Sequence, residues 1–147
     1  MNRNFVEMLR ALSAAKAEFL VIGAHAVIAH GYFRGTRDLD VWIHPTPENA
    51  SRVWRALLEF GAPLHDLTVH DLSTPGWIYQ IGVDPARIDL LTEPAGLEFA
   101  GAWANRMMVR VDGEEFPFLG KEDLIRSKRA TGRRQDLLDL EHLERIQ

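Results

Sequence analysis

The stretch that decides the fold begins Ile22-Gly23-Ala24-His25-Ala26. After three more residues it continues His30-Gly31-Tyr32-Phe33-Arg34-Gly35-Thr36-Arg37-Asp38-Leu39-Asp40-Val41. Just upstream, Glu18 to Ile22 is short, apolar and partly β-branched, and Gly23 ends it, which reads as a buried strand meeting a turn. Ala24 to His30 then suits a short helix that stops at Gly31. After a loop over Tyr32 to Arg37, Asp38 to Ile43 alternates acidic and apolar residues at its start. That period of two is the mark of a strand, and it puts Asp38 and Asp40 on one face.

Working outward, Phe5, Met8, Leu9 and Leu12 recur at helical spacing within Asn4 to Lys16. Thr46-Pro47 offers a cap and a favourable first helical residue, and the stripe Val53, Trp54, Leu57, Leu58 runs on to Gly61. Two strand-like segments, Trp77 to Ile81 and Arg87 to Leu91, flank a turn signal at Val83-Asp84-Pro85 and are expected to pair antiparallel. A helix is expected over Leu97 to Arg106. Asp112-Gly113 then joins Met107 to Val111 and Glu115 to Phe118 as a hairpin. Two closing helices, Gly120 to Arg129 and Arg133 to Ile146, break around Thr131-Gly132. The expected class is α/β (α+β). A small mixed, mainly antiparallel sheet carries the acidic residues, helices back it, and carboxy-terminal helices close it. Residues 1–147 contain no repeat or linker and read as a single domain.

Composition bounds the function without choosing it. The chain has 147 residues, 46% hydrophobic and 26% charged, and no cysteine. Disulfides, thiolate zinc sites and cysteine nucleophiles are therefore excluded together. The longest nearly apolar run, Phe19 to Ala29, is too short to span a bilayer, and Glu7 and Arg10 interrupt any signal-like segment near the start. A cytoplasmic location with no membrane partner is expected. The net charge of −4 argues against general coating of nucleic acid. GxxxxGK[ST], GxSxG and HExxH sequences are all missing.

The acidic pair suggests a metal-dependent chemistry. Strand residues two apart stand about 6.6 Å from one another on the same side, so their carboxylates can share one or two hard cations. Two-metal sites hold their ions about 3.5–4 Å apart and clamp the attacking and leaving oxygens of an in-line displacement at phosphorus. A third carboxylate from a neighbouring strand could complete a metal site and accept the proton of an attacking hydroxyl. Asp89, within Ile88-Asp89-Leu90, is the candidate.

In this order the residues resemble the polymerase-β-like nucleotidyltransferase superfamily, particularly its minimal bacterial members. There a Gly-Gly or Gly-Ser turn precedes an acidic doublet flanked by apolar residues, and a later strand gives a third acid. Gly23-Ala24, Asp38, Asp40 and Asp89 take those positions over about 70 residues. The tail resembles that of small members in Lys121-Glu122-Asp123-Leu124, Lys128, Arg133-Arg134-Gln135-Asp136 and Leu138-Asp139-Leu140. Ala24 departs from the pattern, so a serine hydroxyl contact to phosphate is missing, while backbone N–H groups at the helix start can still meet an anion.

The resemblance implies a magnesium-dependent nucleotidyltransferase that moves NMP from an NTP, with ATP the expected donor, to an acceptor hydroxyl and releases pyrophosphate. Asp38, Asp40 and Asp89 would be both catalytic and metal-binding. Two Mg2+ ions are implied, with Mn2+ as a substitute. Gly23, Ala24, Arg34, Thr36 and Lys128 would bind the nucleotide, Arg34 alternatively bracing its loop. The acceptor stays open among a small molecule, a tRNA end and a protein side chain. The competing reading is a non-catalytic nucleotide-binding or toxin–antitoxin-like module with a partner protein.

Other residues read more plainly. Arg126 to Arg134 holds five basic residues and no acid, a solvated helix face or a site for an anionic acceptor. His25 and His30 are five apart, a poor match to a helical zinc pair, and His30 reads as a packing or capping residue. His65-Asp66 and His70-Asp71 carry metal-ligand types with no fixed element around them. Trp42, Trp54, Trp77 and Trp103 are too dispersed for one aromatic cage and are expected in the core or at edges.

Overall fold

In the computed structural model, residues 1–83, 86–94 and 96–145 are described. The amphipathic opening segment forms α1 (Arg3–Ala14), capped by the Asn2 side chain, which accepts from the Asn4 N–H at 2.8 Å. The quoted stretch folds as β1 (Phe19–Ile22), α2 (Gly23–Ala29) and β2 (Asp38–Ile43). Next come α3 (Pro47–Phe60), started by a Thr46 cap and ended by Gly61 in the left-handed region, and a short α4 (Val69–Leu72). β3 (Ile78–Ile81) and β4 (Arg87–Leu91) precede α5 (Phe99–Ala104), and β5 (Met107–Val111) turns into β6 (Glu114–Phe118). At that turn Asp112 and Gly113 both have positive φ, as a two-residue hairpin requires. α6 (Lys121–Thr131) and α7 (Arg134–Arg145) close the chain around Gly132.

Among the described residues the sheet has six strands in the order β3-β4-β2-β1-β6-β5. β1 runs antiparallel to β2, β3 to β4 and β5 to β6, while β2–β4 and β1–β6 are parallel, so the sheet is mixed and mainly antiparallel. β2 sorts its residues by face. Leu39, Val41 and Ile43 join the core with Phe5, Met8, Leu9 and Leu12 of α1 and Val53 and Leu57 of α3. Asp38 and Asp40 take the alternate positions and leave the other face acidic.

Several element ends shift by one or two residues from the sequence reading, and three differences have a distinct physical reason. The loop around His70-Asp71 is α4, four residues long and too short to show a helical period; its signal was the capping box of Thr68 and Asp71. Trp77 lies outside β3 because its N–H meets the Thr92 hydroxyl at 2.7 Å rather than a ladder carbonyl. α5 is shorter than Leu97 to Arg106, since Glu98 stays extended as its N-cap and Asn105 closes it. Asp84, Pro85 and Ile146 lie outside the described residues, so the turn expected at Val83-Asp84-Pro85 and the last residue of the final helix go undescribed.

Candidate active site

The floor of the site is set by strand register. β2 and β4 lie side by side with Asp38 opposite Arg87, Asp40 opposite Asp89 and Trp42 opposite Leu91. Asp40 and Asp89 are thus neighbours across a ladder although 49 residues separate them in sequence. On the other side of β2, Ile22 pairs with Asp40, so the chain leaves β1 level with that carboxylate. Gly23 then turns into α2 with φ of 66°, a conformation L side chains rarely adopt. A Cβ on Gly23 would sit 2.3 Å from Asp40 Oδ2, so a side chain there would have to displace that carboxylate.

Crowding of carboxylates marks the electrostatics. The Asp40 pKa is raised to about 6, first by burial, then by the charge of Asp89, a hydrogen bond shared with Asp89 and the charge of Asp38, with Arg87 opposing. Asp40 therefore gives up its proton at a higher pH than an ordinary carboxyl. Arg87 spans the remaining pair: its Nη2 donates to Asp38 Oδ2 at 2.7 Å and to Asp89 Oδ2 at 3.2 Å, and its Nε donates to Asp89 Oδ1 at 3.1 Å. In type and register these three carboxylates suit a hard divalent cation. Among the described residues, however, no three His, Asp or Glu side chains are gathered as a cation cage, and a guanidinium lies among the acids instead.

The opposite wall comes from α6 and α7. Lys128 is buried, with Nζ 3.1 Å from Asp136 and 3.0 Å from Asp139. Asp139, fully buried, also accepts from Arg34 Nη2 at 3.3 Å, in an ion pair whose Nε lies 3.1 Å away, and from the Gln135 amide at 2.9 Å. Burial pushes the Asp136 carboxyl up, but hydrogen bonds from Arg133, Thr131 and Lys128 outweigh it and hold the group well below the ordinary carboxylate range. Through Arg34 this network ties the Tyr32–Arg37 loop to α7, and Tyr32 stacks on His142 at 3.9 Å.

Two clefts meet at Asp40. The larger, about 700 Å³, is lined by Gly23, Ala24, Arg34, Thr36, Arg37, Asp38, Asp40, Lys128 and Arg133. The smaller, about 480 Å³, has Asp89, Gln80, Ile78 and Leu91 on the sheet side and Leu124, Ser127 and Lys128 on α6. Seven of the eight residues expected at the site thus line the first cleft, and the eighth, Asp89, lines the second. Three of them also have local partners: the Thr36 hydroxyl donates to the Asp38 carbonyl at 3.1 Å, and Arg34 and Lys128 meet the buried acids of α7.

Arg87 and Gln80 are residues of the site that the sequence reading did not single out, and Asp136 and Asp139 entered it only as part of the tail resemblance, with no role assigned. Arg87 was readable, because Arg87-Ile88-Asp89 has the same two-residue period as the acidic doublet. Nothing in the sequence signals that Asp136 and Asp139 are buried, since acids on a helix are usually solvated. His25 is largely buried against Phe5, and its pKa is lowered to about 4 by burial, then by the amino terminus and Arg34, so it is neutral near pH 7. His30 Nε2 lies 2.9 Å from the Leu119 carbonyl, a packing role as expected. Asp71 spends its carboxylate on the α4 cap, accepting from the Thr68 N–H at 2.9 Å.

Comparisons with known proteins bear on the family and the fold. The sequence profile of the family described as "Nucleotidyltransferase of unknown function (DUF6036)" matches residues 3–146. No curated protein matches the sequence significantly. The lincosamide antibiotic adenylyltransferase LnuA, solved with lincomycin bound, superposes with a TM-score of 0.63 at 15% identity, covering 100% of this chain and 98% of that one. The antibiotic-resistance factor ANT(2'')-Ia gives a TM-score of 0.63 at 12% identity over 95% of this chain and 80% of its own. An antigenic nucleotidyltransferase-like protein from Paracoccidioides brasiliensis gives 0.55 at 16% identity over 95% and 74%. The fold is therefore the polymerase-β-like nucleotidyltransferase fold that the sequence resembled.

Proposed function

The chain belongs to the DUF6036 nucleotidyltransferases, and from that premise we propose that it transfers NMP from an NTP, with ATP the donor, to a hydroxyl of a small molecule in a reaction that needs Mg2+. The supporting observation is that Asp40 stands between two unlike clefts. One gathers Arg34, Arg37, Lys128 and Arg133 around the Gly23-Ala24 turn, a cationic surface suited to a triphosphate. The other sets the Asp89 carboxylate beside apolar Ile78, Leu91, Leu119 and Leu124 and neutral Gln80 and Ser127, with Glu93, Lys128, Arg133 and Asp136 also on its wall, a mixed lining suited to an acceptor with a carbon skeleton and a hydroxyl.

In this reading Asp89 takes the acceptor proton, the freed oxygen bonds to the α-phosphorus, and the bond from that phosphorus to the bridging oxygen of the β-phosphate breaks. Pyrophosphate leaves along the cationic cleft. Asp38, Asp40 and Asp89 would hold Mg2+, or Mn2+ in its place, which when bound neutralises charge on the phosphates and on the oxygens being joined and parted. Gly23 keeps the turn against Asp40, and Arg34 and Thr36 fix the loop that enters β2.

A small acceptor is favoured over a tRNA end or a protein side chain by the 480 Å³ scale of the Asp89 cleft. LnuA, a lincosamide adenylyltransferase of similar fold, offers a parallel. Residues 1–147 would form one nucleotidyltransferase domain. Among the described residues no helix is long and apolar enough to cross a membrane, and we place the reaction in the cytoplasm, where NTPs are supplied.

The experiment is label transfer from α-³²P NTPs with Mg2+ or Mn2+, offered to separate pools of hydroxylated small molecules, tRNA and protein. We expect label on a small molecule and its loss in Asp40→Ala. NTP binding without transfer to any pool would favour a binding module, and failure to bind any NTP would remove the site assignment.

A further inference from the structure

Arg87 belongs to the acidic floor as firmly as the acids do. It sits directly across β2–β4 from Asp38 and two residues before Asp89, so sheet register alone delivers its side chain to the same face. There the guanidinium engages one Asp38 oxygen and both Asp89 oxygens, at 2.7, 3.1 and 3.2 Å. Those atoms are the donors a divalent cation would coordinate. A planar fork with several N–H donors can serve two carboxylates at once, which a lysine ammonium does less well. The Arg87 side chain is also 30% exposed, unlike the sealed Lys128 at 9%, so it can swing away without unpacking the core.

We infer that Arg87 is a resident counter-cation: it holds Asp38 and Asp89 while no metal is bound, competes with divalent cations for them, and so defers tight metal binding until the nucleotide arrives. With Arg87 in place the three acids carry a net charge of −2 rather than −3, and fewer of their oxygens are open to a metal. A cation entering alone must break the charge-assisted bonds of a bidentate pair. One entering with an NTP brings phosphate oxygens as further ligands and so depends less on Asp38 and Asp89. The inference rests on the reading of Asp38, Asp40 and Asp89 as metal ligands. It assigns Arg87 a positioning role, outside the bond-making step.

The test is direct titration of Mn2+ followed by electron paramagnetic resonance, with and without a non-hydrolysable NTP, on wild type, Arg87→Gln and Arg87→Lys. Wild type should bind Mn2+ weakly alone and at least about tenfold more tightly with nucleotide, equivalent to about 1.4 kcal/mol. In Arg87→Gln the affinity without nucleotide should rise by about tenfold, and the nucleotide effect should shrink. Arg87→Lys, which keeps the charge but loses the fork, should fall between. A structural role for Arg87 would not tighten metal binding in its absence. Equal or weaker Mn2+ binding by Arg87→Gln, with binding lost in Asp40→Asn, overturns the inference and leaves the metal site standing. No Mn2+ binding by wild type even with NTP overturns both. Should Arg87→Gln not fold, the wild-type Arg87 Nε–H resonance, assigned by its loss in Arg87→Lys, decides the matter: release from the carboxylates predicts a shift and faster solvent exchange on adding Mg2+ with nucleotide, and an unchanged signal refutes it.

Discussion

Gly23 and Asp40 are so close that a methyl group on Gly23 would lie 2.3 Å from Asp40 Oδ2. Two requirements meet at one residue, because the Gly23 φ of 66° independently disfavours any side chain. Gly23→Ala should lose about 1–2 kcal/mol from the backbone alone. It should also displace the Asp40 carboxylate, and label transfer should fall by more than its thermal destabilisation explains. Near-normal transfer at a temperature well below the unfolding midpoint would contradict the role given to this contact.

Asp40 also makes stability depend on pH in a defined direction. Its folded pKa of about 6 lies above the ordinary 3.8, so the folded state holds a proton that the unfolded state has released between those values. The contribution is complete below about pH 3.8 and is lost as pH rises through 6, amounting to about 2–3 kcal/mol. Asp40→Asn cannot ionise and should be more stable than wild type at pH 7.5, with the gap closing toward pH 4. Urea unfolding in metal-free buffer at the two pH values measures this. A variant less stable at both would show that the crowding of Asp40 by Asp89 and Asp38 is not destabilising.

How much of this was legible in the sequence differs by residue. β2, α3, β4 and β5 could be read because each has a period, a cap or a turn of its own, and Asp38, Asp40 and Asp89 carry the chemistry in short apolar-acid patterns. Asp40 and Asp89 being adjacent could not be read, since it depends on β2 and β4 pairing in parallel around the intervening α3, α4 and β3. Nor could the burial of Asp139. A helix sequence does not tell an acid solvated on its surface from one driven against Lys128 and Arg34 by the packing of α7 on α6.

That buried network yields a stability prediction. Lys128, 9% exposed, stands between two carboxylates that are 2% and 0% exposed, and Arg34 leans on the second. Removing one member of a buried pair leaves the rest uncompensated and costs about 3–5 kcal/mol. Asp139→Ala should lower stability by that order and loosen the Tyr32–Arg37 loop, with faster amide exchange there than in β1. Asp66→Ala, at an exposed pair with His65, should change stability by less than about 0.5 kcal/mol. Similar urea midpoints for the two variants would mean that Lys128 and Arg34 find equivalent partners without Asp139.

Ala24 is the place where a gain of function can be sought. It lines the cationic cleft beside Gly23 and brings no hydroxyl to it, where the resembled superfamily carries glycine or serine. A serine replacing Ala24 would occupy the second position of α2, where it costs little helix propensity. Its hydroxyl would offer one more donor to a phosphate oxygen, a neutral hydrogen bond worth about 0.5–1.5 kcal/mol. Ala24→Ser should therefore tighten NTP binding by about threefold to tenfold with an unchanged unfolding midpoint, measured by isothermal titration with a non-hydrolysable analogue. Unaltered or weaker affinity in a folded variant would place the phosphates away from the Gly23-Ala24 turn.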